Sequence, residues 1–217
     1  MNLANKLTVF RIILVPIFVI IGYLGTLGVI EGEWLGIPVF LWIMNIIFII
    51  ASITDKLDGY IARSRNQITT FGKFLDPLAD KILVLAALVM LVEFGKIPAW
   101  IPIIVLVREF LVSGYRLVAV EKGGKVIAAS IWGKLKTVTQ MISIILIFAD
   151  KYNFFDFIRA NTDKAMAVQS SMQIYMSQGE IIFNAVTSIL ILVSVIATIF
   201  SGYDYLKNGK DLFKENK

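Results

Sequence analysis

Leu7-Thr-Val-Phe-Arg-Ile-Ile-Leu-Val-Pro-Ile-Phe-Val-Ile-Ile-Gly-Tyr-Leu-Gly-Thr-Leu27 is a run of 21 residues with one charged side chain, Arg11. A helix needs roughly 20 apolar residues to cross the ~30 Å hydrocarbon core of a bilayer, and this run has that length. Five further runs of the same kind follow at 38–62, 72–94, 99–121, 130–149 and 179–206. Each is predicted to be a helix, because a segment in lipid must satisfy its own backbone hydrogen bonds. The runs are too long and too unbroken for the alternating strands of a membrane β-barrel. The expected fold is therefore all-α: an integral membrane protein built as a bundle of six transmembrane helices.

Composition points the same way. With 58 % hydrophobic residues and a mean hydropathy of +0.79, a soluble domain would have too little polar surface. The length suits a single transmembrane domain, 1–217, with no second one. There is no cysteine, which excludes disulfides, thiolate nucleophiles and iron–sulfur sites, and no histidine, the commonest general base and a frequent zinc ligand. Chemistry must rest on carboxylates, Lys, Arg, hydroxyls or bound metal. The pI near 9.3 does not imply nucleic acid, since the basic residues are strung between apolar segments and not gathered on one soluble face. Of the 21 Lys and Arg, only Lys96, Lys151, Arg159 and Lys164 fall in the loops on one side. Lys56, Lys81 and Arg108 lie inside segments, and the rest share the other side. By the positive-inside rule both termini are expected in the cytoplasm, in a multi-pass protein of the cytoplasmic membrane. A signal peptide competes for residues 1–27, but no small-residue cleavage site follows the run. The long connection 150–178 is either a mobile loop or a segment lying on the outer membrane surface through Phe154, Phe155, Phe157, Met166, Met172 and Met176.

The chemistry gathers in 55–81, which carries four aspartates at or near membrane depth. Asp55 and Asp58 are three apart and share a helical face with Gly59 and Ala62; Asp76 and Asp80, four apart, share a face of the next helix. The short polar link 64–71 makes the two helices antiparallel neighbours, and packed helices lie about 8–10 Å apart, so the four acids can converge. Burying bare carboxylates is costly, which calls for a cation. Pairing with Lys56, Arg63, Arg65, Lys73 and Lys81, or capping of helix ends, would be the structural alternative. Oxygen donors without His or Cys suit Mg²⁺ or Mn²⁺, and four carboxylates are enough for two divalent ions at the roughly 3.5–4 Å spacing used for displacement at phosphorus.

The pattern D-x2-D-G-x2-A-R-x8-G-x3-D-x3-D, met here at Asp55, Asp58, Gly59, Ala62, Arg63, Gly72, Asp76 and Asp80, resembles the signature of the CDP-alcohol phosphotransferase family. The stretches Asn5–Arg11, Arg108–Arg116 and Gly133–Gln140 look like its phosphatidylglycerophosphate synthase branch, so the whole chain is expected to be one such domain. The resemblance implies transfer of a phosphatidyl group from a CDP-linked lipid, CDP-diacylglycerol, to an alcohol, with release of CMP. It implies metal bound by Asp55, Asp58 and Asp76, with Asp80 both touching metal and acting as catalytic base. It also implies contacts to the CDP-lipid from Gly59, Arg63 and Thr69 beside Ala62, and from Asn5 and Thr8 near the nucleotide. A homodimer in membrane lipid, its active site facing the cytoplasm, is implied as well.

The acceptor is read from the basic residues of helices four and five. Gly133, Lys136, Thr137 and Gln140 fall on one helical face, Lys134 is beside it, and Arg108 and Arg116 are on helix four. So many positive donors suit an acceptor that carries phosphate, which favours glycerol 3-phosphate over serine, choline or ethanolamine. Lys134 and Lys136 could equally be topology signals, and Glu109, an aspartate or a backbone carbonyl could be the only partner of Arg108. Inositol phosphate as acceptor, or an ion transporter holding acids between helices, are the competing functions.

Overall fold

A computed structural model gives six α-helices among the described residues: α1 Leu3–Thr26, α2 Val39–Ser64, α3 Thr70–Glu93, α4 Trp100–Glu121, α5 Ile131–Phe148 and α6 Gln178–Asn208. Every predicted segment is a helix, the largest difference being the earlier start of α1, at Leu3 and not Leu7. The structure describes residues 3–64, 70–121, 130–163 and 173–208, and gives backbone alone for 3–6, 55–64, 70–78, 80, 117, 120–121 and 208. Among the described residues, three helical stretches are long and apolar enough to cross a membrane: Leu7–Thr26, Ile131–Phe148 and Gln178–Lys207; Val39–Thr54 is a shorter apolar stretch. The remainder of α2 and parts of α3 and α4 are interrupted by charged residues, which include the candidate site residues.

The chain forms two compact units, the first comprising residues 1–96 and 145–151. In it α1 packs on α2 and α3 around Phe18, Met44, Phe48, Leu83 and Leu91. Two glycines set the approach. A Cβ on Gly25 would lie 2.2 Å from the ring of Phe40 on α2, and one on Gly22 only 2.5 Å from Met90 Cε on α3. Small residues of this kind let helix backbones come close in lipid. The connection from α1 to α2 is a two-residue hairpin, β1 Glu33–Trp34 with β2 Ile37–Pro38, turning on Leu35 and Gly36, both at positive φ as a tight hairpin requires. The Trp42 indole then donates to the Trp34 carbonyl at 3.1 Å. Lys96, expected in a loop, is buried: its ammonium donates to the carbonyls of Asp150 (2.8 Å) and Lys151 (3.0 Å), just past the end of α5, where helix carbonyls lack partners.

The second unit comprises residues 97–144 and 152–217, with α4 packed on α6. Ser177 and Glu180 form a reciprocal capping box that starts α6: the Ser177 N–H donates to the Glu180 carboxylate at 2.8 Å and the Glu180 N–H to the Ser177 hydroxyl at 3.4 Å. The connection before it holds a 3₁₀ turn, Asp156–Arg159, and a short parallel pairing of β3, Ala160–Asn161, with β4, Ile174–Tyr175. Asn184 and Ser188 of α6 accept the N–H groups of Phe157 and Phe155, at 2.9 and 3.0 Å. Phe154, Phe155 and Phe157 pack on one another, Phe154 also on Trp100, and Met176 is wholly buried. Phe154, Phe155, Phe157 and Met176 are thus packed within the unit; Met166 and Met172 lie outside the described residues.

Candidate active site

The five residues that link α2 to α3 (65–69) reach at most about 18 Å. Parallel packing would need a link nearly as long as α2 itself, roughly 39 Å at 1.5 Å per residue, so the helices run antiparallel with their linked ends together. Asp58 lies six residues before the end of α2 and Asp76 six after the start of α3; Asp55 lies nine before and Asp80 ten after. The acids therefore sit at two matched levels, about 9 Å and about 15 Å from the linked ends.

The burial pattern adds the faces. Leu41, Met44, Asn45, Phe48, Ala51 and Ser52 are buried on α2, a stripe whose helical period continues through positions 55, 58, 59 and 62. On α3 the buried Ala87, Leu83 and Ala79, followed backwards, lead through positions 80 and 76. The side chains of Asp55, Asp58, Ala62, Arg63, Asp76, Asp80 and Asn5 lie outside the described residues, as do Gly59 beyond its helical backbone and all of Thr69. On α1, Thr8 is 1 % exposed and Arg11 0 %, three residues on along the same face. By sequence Arg11 counts among the topology charges, since sequence alone does not separate a snorkelling arginine from a buried one. Its complete burial in the unit that contains the acidic helices makes it a further site candidate.

In the second unit three of the four cations predicted to meet the acceptor, Arg108, Arg116 and Lys136, are gathered. Arg108 Nη1 donates to Glu109 at 3.0 Å, and the Lys136 ammonium of α5 pairs with the same carboxylate oxygen. Arg108 Nη2 donates to the Ser201 hydroxyl of α6 at 2.6 Å, while its Nε is buried and has no hydrogen-bond partner among the described residues. Arg116, two turns along α4, donates through Nη2 to the Tyr205 hydroxyl at 2.9 Å. The absence of a side chain at Gly133 makes room here, since a Cβ would sit 3.5 Å from Arg108 Nη2 and 3.4 Å from Ser201 Oγ. Lys136 and Gln140 are buried as a shared face requires, whereas Thr137 is exposed and belongs to another side of α5. Lys134, two residues from Lys136, is exposed too. Glu109 was foreseen as one possible partner of Arg108. Ser201 and Tyr205 were not foreseen, because hydroxyls at the end of an apolar run carry no pattern of their own.

Comparison with known proteins bears on the same residues. The family model described as CDP-alcohol phosphatidyltransferase matches residues 1–200, a range that includes the acidic helices and the basic cluster except Ser201 and Tyr205. The chain is 39 % identical over 214 residues to the CDP-diacylglycerol–glycerol-3-phosphate 3-phosphatidyltransferase of Bacillus subtilis, covering 98 % of this chain and 97 % of that protein. It is 46 % identical over 147 residues to the Haemophilus influenzae protein of the same name (66 % and 73 % covered), and 33 % over 214 residues to that of Rickettsia typhi (98 % and 99 %). Four acids on two linked antiparallel helices, a gathered set of cations and a family match over nearly the whole length agree: this chain belongs to the CDP-alcohol phosphatidyltransferase family.

Proposed function

We propose that the protein transfers the phosphatidyl group of CDP-diacylglycerol to glycerol 3-phosphate, giving phosphatidylglycerophosphate and CMP, as a step of phospholipid biosynthesis. The observation that carries the acceptor is the cluster of Arg108, Lys136 and Arg116, with a buried guanidinium N–H of Arg108 that has no partner among the described residues. A phosphate monoester supplies several acceptor oxygens to such donors, whereas serine, choline or ethanolamine supplies none that is phosphate-borne. Full-length similarity to enzymes named for this acceptor supports the same choice.

On the donor side, Asp55, Asp58, Asp76 and Asp80 would hold two Mg²⁺ or Mn²⁺ ions. The donor set fits: it is all oxygen, and the chain has no thiolate or imidazole to favour a softer metal. When bound, the ions supply charge neutralisation at the pyrophosphate. Asp80 takes the proton from the attacking hydroxyl of glycerol 3-phosphate as its oxygen bonds to the phosphorus of the phosphatidyl group. The bond from that phosphorus to the oxygen of the CMP phosphate breaks, and CMP leaves with the oxygen and its electron pair. Arg63 assists the departing charge, while Gly59 and Ala62 leave room for the lipid donor beside Thr69, and Asn5 and Thr8 meet the nucleotide. Arg108, Arg116 and Lys136 serve the acceptor phosphate.

The protein acts as a homodimer of six-span subunits in the cytoplasmic membrane, with both termini and the active site on the cytoplasmic side. The positive-inside distribution and the apolar stretches of α1, α5 and α6 support this placement. Both compact units belong to one enzyme domain, in keeping with a family match that runs through them.

The test is CMP release by purified protein in detergent, from CDP-diacylglycerol and Mg²⁺, with glycerol 3-phosphate, inositol phosphate or serine offered separately. Metal-dependent release with glycerol 3-phosphate alone is expected. Release with another acceptor only would overturn the acceptor while leaving the donor chemistry standing.

A further inference from the structure

Tyr205 stands out in the second unit because one buried side chain meets two arginines. It is 1 % exposed, near the end of α6, and is packed by Val112, Tyr115 and Leu111. The Cζ atoms of Arg108 and Arg116 lie 5.9 and 5.7 Å from its ring centroid, and its hydroxyl accepts from Arg116. Two guanidiniums on one helix repel each other, and a cation near an aromatic ring gains from the ring's quadrupole, most of all where water is excluded. Tyr205 thus offers both cations a common attractive surface, and its own position is fixed by apolar packing.

The need for such a holder follows from burial. Arg108 is already fixed by Glu109 and Ser201, but Arg116 is exposed and would otherwise sample many rotamers. Holding one N–H of Arg116 on the Tyr205 hydroxyl leaves its other donors free to turn to an anion. The planar fork of a guanidinium binds phosphate well only when its orientation is set.

We propose that Tyr205 is a positioning residue for the acceptor phosphate, acting through Arg108 and Arg116 without itself touching the reacting atoms. The proposal rests on the reading of those arginines as the phosphate site. It predicts a defect confined to the acceptor: a side chain that only stabilised the fold would alter turnover and both Michaelis constants together.

The experiment is steady-state CMP release by the full-length protein in detergent, with Tyr205→Phe, Arg116→Gln, Arg108→Gln and the Tyr205→Phe/Arg116→Gln double variant, each substrate being varied in turn. Tyr205→Phe keeps the ring and its packing by Val112, Tyr115 and Leu111, so the variant removes the hydroxyl and leaves the fold intact. Expected is a rise in KM for glycerol 3-phosphate of about tenfold, near the low end of what a hydrogen bond to a charged group is worth. kcat and KM for CDP-diacylglycerol should stay within about twofold, and Tyr205→Phe should add nothing in the Arg116→Gln background, because the two changes remove one interaction. An unchanged acceptor KM in Tyr205→Phe beside a raised one in Arg116→Gln would overturn the role of Tyr205 and leave the acceptor site standing. So would full additivity in the double variant. If neither Arg116→Gln nor Arg108→Gln moved the acceptor KM, the acceptor site itself would fall, and the role of Tyr205 with it.

Discussion

Replacing Lys136 by Met removes one charge while keeping an unbranched apolar stem of similar length. The Lys136 side chain is 8 % exposed and is paired with Glu109, itself 21 % exposed and also held by Arg108 at 3.0 Å. If the ammonium meets the acceptor phosphate, its loss costs a charge-assisted hydrogen bond, about 1.5–3 kcal/mol. The ammonium must share or leave Glu109 to reach the phosphate, which places the effect in the lower half of that range. A rise in KM for glycerol 3-phosphate of roughly 10- to 30-fold follows, at 1.4 kcal/mol per decade. The fold should survive, because Glu109 keeps its ion pair with Arg108. The assay is CMP release with glycerol 3-phosphate varied at saturating CDP-diacylglycerol, then the reverse. An acceptor KM within twofold of the parent, or equal rises for both substrates in folded protein, would refute the assignment of Lys136 to the acceptor.

Other expectations can be checked with the same preparation. Asp80→Asn, which removes a base with little change of shape, should abolish turnover yet retain metal-dependent binding of CDP-diacylglycerol; near-normal turnover would dismiss Asp80 as base. Chelation by EDTA should stop CMP release and added Mg²⁺ or Mn²⁺ should restore it, whereas activity that persists through exhaustive chelation would leave the four aspartates without their proposed task. Gly25→Ala puts a Cβ 2.2 Å from the Phe40 ring, so overpacking should destabilise the protein by about 1–3 kcal/mol, read as a lower Tm by intrinsic tryptophan fluorescence in detergent. An unchanged Tm would mean that α1 does not approach α2 as closely as described.

The helices were legible because each is announced by a long apolar run, and the placing of the four acids on α2 and α3 followed from the same runs. Features that depend on contacts between distant segments were hidden. A two-residue strand such as Glu33–Trp34 is too short to display alternation, and the Leu35–Gly36 turn places a leucine where glycine or asparagine is the usual signal. Lys96 looked like a loop cation, and only the fold brings the carbonyls after α5 within its reach. Arg11 and Tyr205 were concealed in opposite ways. The arginine lay where topology accounts for any positive charge, and the tyrosine lay at the end of an apolar run, where aromatic residues need no special explanation.

Burial also bears on the solvent, independently of segment length. On α6 the wholly buried side includes Asn184, Thr187, Ser188, Ser194, Thr198 and Ser201, while Ile182, Val186, Ile189, Val193 and Ile196 are exposed. A helix on the surface of a water-soluble protein has the reverse arrangement, with its apolar stripe inside. The same inversion recurs on α4, where Ile103, Val107 and Phe110 face outward while Arg108 and Glu109 are mostly covered. Lipid explains it: apolar side chains lose nothing by facing hydrocarbon, and polar groups must find partners within the protein. This accounts for a helix such as α4, whose Arg108 and Glu109 interrupt an apolar span, because these two charges sit on the inner side and leave the outer surface around them apolar. An enzyme that joins a water-soluble phosphate to a lipid needs such an interior, since a polar acceptor can be held at a membrane only where the protein itself supplies the polar contacts.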